Sequence, residues 1–168
     1  MIEHTRGKKT LSWILLTGLL TGTIDATFAI VMNSKIPAAL IFRYIASGIF
    51  GTAAFSQGTE MVYYGVLLHY CIAFTWTAAF FMLYPKLLNL VKFRSILILI
   101  TGPIIWAGMN LIVIPLSHVA SSPIHLAAAL KDIGILIVAF GLPITVIADK
   151  FYTNTSLLQS NIRLENQG

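Results

Sequence analysis

The sequence predicts an all-α, polytopic membrane protein with four transmembrane helices and one interfacial or re-entrant helix between spans one and two. The 168 residues are 57% hydrophobic and only 10% charged, whereas a soluble domain carries about 25% charged residues. With a mean hydropathy of +0.84, the chain has too few charges to cover a water-facing surface. The composition excludes an ordinary soluble enzyme, a disordered tail and a nucleic-acid-binding module, and it makes the lipid bilayer the expected partner.

Four apolar runs are long enough to cross the hydrocarbon core, which takes a helix of about 20 residues. The predicted spans are residues 11–32, 61–84, 95–117 and 124–148. Together they form a single membrane domain over residues 11–148. A cytoplasmic segment, residues 1–10, is expected before it and a cytoplasmic tail, residues 149–168, after it. Because it is polar, the tail beyond Phe151 is predicted to be frayed or disordered.

A fifth apolar stretch, at about residues 38–55, is predicted to be the interfacial or re-entrant helix on the outer side. Lysine and arginine collect in the cytoplasmic connections of membrane proteins. With four spans, eight of the 11 basic residues are cytoplasmic, whereas a fifth span would move Lys86, Lys92 and Arg94 outside. The eight are Arg6, Lys8, Lys9, Lys86, Lys92, Arg94, Lys150 and Arg163. The stretch is also amphipathic, with Leu40 and Tyr44 on one helical face and Arg43 opposite.

Strongly polar side chains inside a membrane are costly, so each one is a candidate functional residue. The candidates for a binding site are Asp25, Arg43, His69, Asn110, Lys131 and Asp132. At a rise of about 1.5 Å per residue, all of these except Arg43, which lies in the outer connection, lie about 10–12 Å from the outer ends of their spans. The inner half carries only threonine, serine and backbone as polar groups. This asymmetry favours a polar pocket that opens to the outside over an ion path across the whole membrane.

Each candidate also has a structural interpretation. Asp25 would pair with Arg43 or Lys131, His69 would be a satisfied core histidine, and Asn110 would bond helices together. Small residues at a spacing of four, such as Gly18 and Gly22, predict close helix packing.

Several short motifs are similar to those of a known family. The motifs are Gly22-Thr23-Ile24-Asp25, the run from Arg43 to Gly51, Leu68-His69-Tyr70, Met109-Asn110, Ile114-Pro115-Leu116-Ser117 and Gly141-Leu142-Pro143. Over roughly residues 11–148 the chain resembles the YagU-like family of small four-span bacterial inner-membrane proteins of unknown function. The resemblance implies an all-helical fold in a bacterial inner membrane, and the distribution of basic residues predicts that both termini are cytoplasmic. It implies no activity and no catalytic residue.

Three functional hypotheses follow from these residues. The first is an outward-facing polar pocket that binds or moves a small solute, an ion or a proton. The second is a structural or assembly role, with further copies of the chain or other membrane proteins as partners. The third, least favoured, is a metal or cofactor protein ligated by His69, His118 and His125. No catalytic residue and no specific cofactor is predicted, since the sequence has no HExxH motif, nucleophile elbow or Gly-rich phosphate motif.

Overall fold

The computed structural model describes residues 2–119 and 123–165, with side chains for residues 10–119 and 123–154. This part of the chain contains helices and no β-strand. The α-helices are α1 Ile2–Met32, α2 Ala38–Phe50, α3 Ala53–Ser56, α4 Glu60–Val91, α5 Arg94–Gly108, α6 Ile114–Leu116, α7 Leu126–Leu136 and α8 Leu142–Glu165. Two π-helical segments, Met109–Val113 and Ile137–Gly141, join α5 to α6 and α7 to α8.

Four helical stretches are long and apolar enough to cross a membrane. They are Thr10–Met32, Glu60–Val91, Arg94–Leu116 and Leu126–Asn154. Helix α2 has 13 residues and is about 20 Å long, which is less than the hydrocarbon core of about 30 Å. The predicted fold class is confirmed, and the chain is a multi-pass membrane protein.

The prediction of a frayed tail is wrong for the described part of the tail, because α8 continues to Glu165. Between Phe151 and Glu165 there is no glycine or proline to end the helix. The polar composition of the tail therefore indicates that it leaves the membrane, but not that its helix stops.

The four crossing stretches alternate in direction, and one end of the bundle is rich in basic residues. The turn between α4 and α5 carries Lys92 and Arg94, and the Arg94 Nε atom lies 2.8 Å from Asp149 Oδ1 of α8. The Trp13 and Phe151 rings, of α1 and α8, lie 6.2 Å apart near the same end. We call this end, with its α4–α5 turn, the basic end. Helices α2 and α3 lie at the opposite end.

Each crossing stretch contributes at least one fully or almost fully buried threonine to the bundle core, and the first also contributes Thr17. The others are Thr21, Thr77, Thr101 and Thr145, none more than 4% exposed. Thr21 and Thr101 donate to carbonyls of their own helices, those of Gly18 and Leu97, and the Thr21 and Thr77 hydroxyls lie 3.4 Å apart between α1 and α4. Such back-bonding satisfies a hydroxyl where no water is present. Among the described residues only the buried hydroxyl of Thr145 lacks a hydrogen-bond partner.

Glycines allow the helices to approach closely within the chain. A Cβ atom at Gly18 would overlap the Phe74 ring, and one at Gly65 would overlap the backbone carbonyl of Phe42 in α2. The predicted small-residue face of α1 therefore packs on α4, as small-residue spacing indicates in membranes. These faces are used inside the protomer, so they are not free surfaces for a partner helix.

Each π-helical segment ends two residues before a proline, at Pro115 and Pro143. A proline ring clashes with the carbonyl four residues earlier and lacks an N–H to donate. A π-turn shifts the hydrogen-bond register by one residue and so relieves this clash without ending the helix. The first of these segments contains Asn110, so the proline-induced irregularity lies next to the candidate site.

Candidate functional site

A pocket of about 220 Å³ lies between three of the crossing stretches, toward the end opposite the basic end. Four of the predicted site residues line it: Asp25 of α1, Asn110 of the first π-helical segment, and Lys131 and Asp132 of α7. Three separate parts of the sequence therefore meet in one cavity, as the equal depth of these residues predicts. The remaining walls are mainly apolar and include Trp106.

Asp25 is the unusual member of this group. Its side chain is half-buried in a membrane-crossing helix, and among the described residues it forms no hydrogen bond and no ion pair. The charged or titratable groups that it interacts with electrostatically are His69 and Asp132. The predicted ion pairs with Arg43 and Lys131 are not formed. A carboxylate in this position carries a desolvation cost that no ion pair among the described residues offsets.

Asn110 and α7 supply the other polar groups of the pocket. The Asn110 Nδ2 atom donates to the Trp106 carbonyl over 3.0 Å, so the side-chain oxygen is not used by this bond. Lys131 and Asp132 are exposed and lie in the second turn of α7. Asn110 is therefore held by its own helix, and its position does not depend on the bond to another helix that the structural interpretation proposed.

A second pocket of about 300 Å³ adjoins the first and shares Trp106, Asn110 and Asp132 with it. Tyr44 of α2 and His125, just before α7, also line this second pocket. We call the two pockets together the polar cleft. The shared residues make Asp132 a wall of both chambers, whereas Asp25 lies only in the first.

Arg43 lies outside the polar cleft and holds the connection between α2 and α4. Its guanidinium donates three hydrogen bonds of 2.7–2.9 Å to the carbonyls of Ala54, Gln57 and Gly58. Gly51 ends α2 with a positive φ of 57°. The chain turns there, and the three carbonyls that follow lie within hydrogen-bond distance of the Arg43 guanidinium. Leu40 of α2 is exposed, as a lipid-facing position allows, whereas Tyr44 lines the polar cleft. The prediction that Arg43 belongs to the binding site has no support from this geometry.

We expect Asp25→Asn and Arg43→Gln to change stability independently. Arg43→Gln should destabilise the protein by about 1–3 kcal/mol, because the charge-assisted bonds to three carbonyls are lost. Because the two side chains do not meet, the effects in the double variant should add to within about 0.5 kcal/mol. Thermal melts of both single variants and the double variant in one detergent measure this. A coupling energy above about 1 kcal/mol between the two substitutions would show that Asp25 and Arg43 form an ion pair.

His69 ties α4 to α1 and does not line the pockets of the polar cleft. Its Nε2 atom lies 2.8 Å from the Gly22 carbonyl oxygen. Because a carbonyl only accepts hydrogen bonds, Nε2 carries the proton. The ring also meets Phe42 of α2 edge-on, with centroids 6.3 Å apart. The two pockets give no support to the predicted shared cavity of His69 with Asp25 and Asn110, and His69 instead fixes the part of α1 one turn before Asp25.

No metal site forms among the histidines whose side chains the structure describes. Within residues 10–119 and 123–154, no three His, Cys, Asp or Glu side chains are close enough to hold a metal ion. His118 follows α6, where its backbone N–H donates to the Gly48 carbonyl, and His125 lines the polar cleft. The geometry gives the third functional hypothesis no support.

Sequence reasoning missed a polar cluster at the basic end. Asp149 accepts from Arg94 Nε over 2.8 Å and from the Tyr84 hydroxyl over 3.0 Å, both at Oδ1. Tyr152 stacks on Tyr84, with ring centroids 5.7 Å apart, and donates to the Phe81 carbonyl. The predicted fourth span stopped one residue before Asp149, although the apolar helix extends to Asn154. The basic half of the bundle therefore also contains an ionic cluster, in which Asp149 is paired with Arg94 and hydrogen-bonded to Tyr84.

Comparison with family models, with curated proteins and with solved structures found no match to this chain. The candidate site therefore rests on its own geometry. That geometry places a polar cleft with an unpaired carboxylate at one end of a four-span membrane bundle and a paired ionic cluster at the other.

Proposed function

We propose that the protein is a bacterial inner-membrane protein that binds a small cation in the polar cleft. The observation that carries the proposal is Asp25, a half-buried carboxylate without an ion-pair partner in the described chain, facing a pocket of about 220 Å³. The pocket walls carry two carboxylates, of Asp25 and Asp132, against the one ammonium group of Lys131. A bound cation would supply the positive charge that balances the second carboxylate of the pocket.

The chemistry of the walls favours a cation over an anion or a neutral solute. Carboxylate oxygens and the Asn110 amide oxygen are ligands for hard cations and acceptors for ammonium groups. The Trp106 ring lines both chambers, and an indole face attracts cations. The pocket is partly shielded from water, so each of these attractions is stronger than it would be at an open surface.

The proposal concerns binding and not free conduction. Between the polar cleft and the basic end lies a core that includes Phe81, Leu97 and Ile144, none more than 1% exposed. A pocket closed on one side in this way fits a receptor, a sensor or one state of a transporter. Movement of the cation to the basic end would require these helices to separate.

We place the basic end in the cytoplasm and the polar cleft on the outer side, because lysine and arginine favour the cytoplasmic face. In a Cys71→Ala background, a cysteine replacing Gln57 should react with an impermeant thiol reagent added to intact cells. A cysteine replacing Leu90, which is 80% exposed near the basic end, should react only after the cells are permeabilised. If position 90 reacted in intact cells and position 57 reacted only after permeabilisation, the proposed orientation would be contradicted.

Equilibrium binding to the purified protein tests the function itself. The probes are inorganic cations, small alkylammonium ions and small anions, measured by calorimetry in a non-ionic detergent. We expect cations to bind, Asp132→Asn to weaken binding and Lys131→Gln to strengthen it, because each variant changes the charge of the pocket. Glu60→Gln, which removes an exposed carboxylate outside the cleft, is the matched control and should bind as the wild type does. Selective binding of anions would contradict the proposal.

A further inference from the structure

A narrow apolar groove runs along the lipid-facing side of the bundle between α4 and α5. Its volume is about 110 Å³, and Thr101 is the one hydroxyl among otherwise apolar lining residues. That hydroxyl is already bonded to the Leu97 carbonyl. Leu83 and Ile104 form exposed rims, 48% and 51% accessible, while the floor is buried. We call this feature the α4–α5 groove.

The length of the α4–α5 groove matches one membrane leaflet. On α4 it extends from Trp76 to Leu87, which is about 16 Å at a rise of 1.5 Å per residue. This is about half of a hydrocarbon core of about 30 Å. Trp76 closes the far end, since its ring packs so tightly against Gly108 that a Cβ atom there would overlap it. An occupant of the groove therefore enters from the basic end and stops near the middle of the bilayer.

Three basic residues lie within residues 86–94, the stretch of chain around the turn from α4 to α5 at the open end of the groove. Lys86 is adjacent in sequence to the lining residue Leu87, and Arg94 lies one helical turn before the lining residue Leu97. Lys92, in the turn between them, is also exposed. Arg94 uses its Nε atom for Asp149, so its two terminal nitrogens can still donate. Three cations at the membrane interface against one carboxylate favour an anionic headgroup.

We propose that the α4–α5 groove binds one acyl chain of an anionic phospholipid, whose phosphate is held by Lys86, Lys92 and Arg94. A transmembrane helix is about 10–12 Å wide and does not fit between two neighbouring helices in a groove of this size. Compact small-molecule sites have volumes of about 300–1,000 Å³, well above that of the groove. A slender hydrocarbon chain with a negatively charged head matches both the apolar wall and the basic end. This lipid site is separate from the polar cleft.

The first test measures headgroup selectivity. Phosphatidylglycerol and phosphatidylcholine with identical acyl chains are titrated into delipidated protein, and bound lipid is counted by native mass spectrometry. We expect phosphatidylglycerol to bind more tightly, and Lys86→Gln to weaken its binding about fivefold, as the loss of one cation near an anionic headgroup predicts. Lys150→Gln removes the same charge at the basic end on α8 and should have little effect. Equal weakening by both variants, or no preference between the two lipids, would overturn the proposal.

The second test measures the contribution of the groove. Ala79 lines the groove, so Ala79→Leu should fill it and reduce phosphatidylglycerol binding. Cys71→Leu adds comparable bulk at an exposed position of the same helix and serves as the control. A lipid with a photoreactive acyl terminus should crosslink near Leu83 and Ile104 in the wild-type protein. Crosslinks confined to other helices, or complete displacement of the lipid by glycerol phosphate, would show a headgroup site without a groove and would overturn the assignment.

Discussion

Gly65→Ala is expected to be the most disruptive single-methyl substitution at the end of the bundle opposite the basic end. The added Cβ atom would overlap the backbone carbonyl of Phe42, and a backbone group of a packed helix cannot move aside as a flexible side chain can. Overpacking of this kind typically costs about 1–3 kcal/mol, and a backbone clash belongs at the upper end of that range. We expect the melting temperature to fall by about 5–10 °C, since about 2–4 °C is lost per kcal/mol in a chain of this length.

Gly134→Ala is the matched control for this substitution. Gly134 also lies in a membrane-crossing helix, but a Cβ atom there meets no other atom within 4 Å. Alanine is the better helix former, by up to about 1 kcal/mol. We therefore expect Gly134→Ala to leave the melting temperature unchanged or to raise it. If both variants melted at the same temperature, the close approach of α2 to α4 at Gly65 would be contradicted.

Asp25→Asn is expected to stabilise the protein and to weaken cation binding at least tenfold. A charged aspartate at the centre of a membrane helix costs about 2.5–3.5 kcal/mol on insertion scales. Asp25 is only half-buried and faces a pocket, so we expect removal of its charge to recover about 1 kcal/mol, or about 2–4 °C in melting temperature. The same change removes the main anionic partner of the bound cation and should weaken binding at least tenfold, because losing one member of such a pair costs about 2–5 kcal/mol.

The opposite signs of these two effects distinguish a binding residue from a structural one. A structural aspartate, paired with Arg43 or Lys131, would destabilise the protein when neutralised, because its partner would be left unpaired. Melting curves and binding isotherms of the same Asp25→Asn preparation give both quantities. A lower melting temperature together with unchanged cation binding would favour the structural role.

The spans and the site's depth were predictable because the bilayer imposes simple rules on the chain. Length and hydropathy set the four crossing stretches, and the basic residues separated the short α2 from a fifth span. Equal depth of Asp25, Asn110 and Asp132 predicted that they could meet, because antiparallel helices in one bundle bring residues of equal depth to one level. These rules depend on the period and length of helices and need no tertiary contact.

The partners of individual side chains were not predictable in the same way. Arg43 bonds to backbone carbonyls that become available only because the chain turns at Gly51. No sequence pattern indicates which backbone carbonyls will lack a partner within their own helix. His69 has the depth of Asp25 but the wrong rotation about its helix, so it bonds to Gly22 and does not enter the cleft. Asp149 was placed outside the membrane because hydropathy falls there, although Tyr84 and Arg94 satisfy it inside an apolar helix.

The central claim, that the pocket at Asp25 is open to water and solute from the outer side, is tested most directly by chemical access to this position. In a Cys71→Ala background, Asp25→Cys is treated in intact cells with a small, cationic, impermeant thiosulfonate reagent. Leu20→Cys, on the exposed side of the same helix, is the lipid-facing control. We predict that position 25 is modified, that a bound cation slows the modification, and that position 20 stays unmodified. Modification of position 25 only after permeabilisation, or at no faster rate than position 20, would contradict the account.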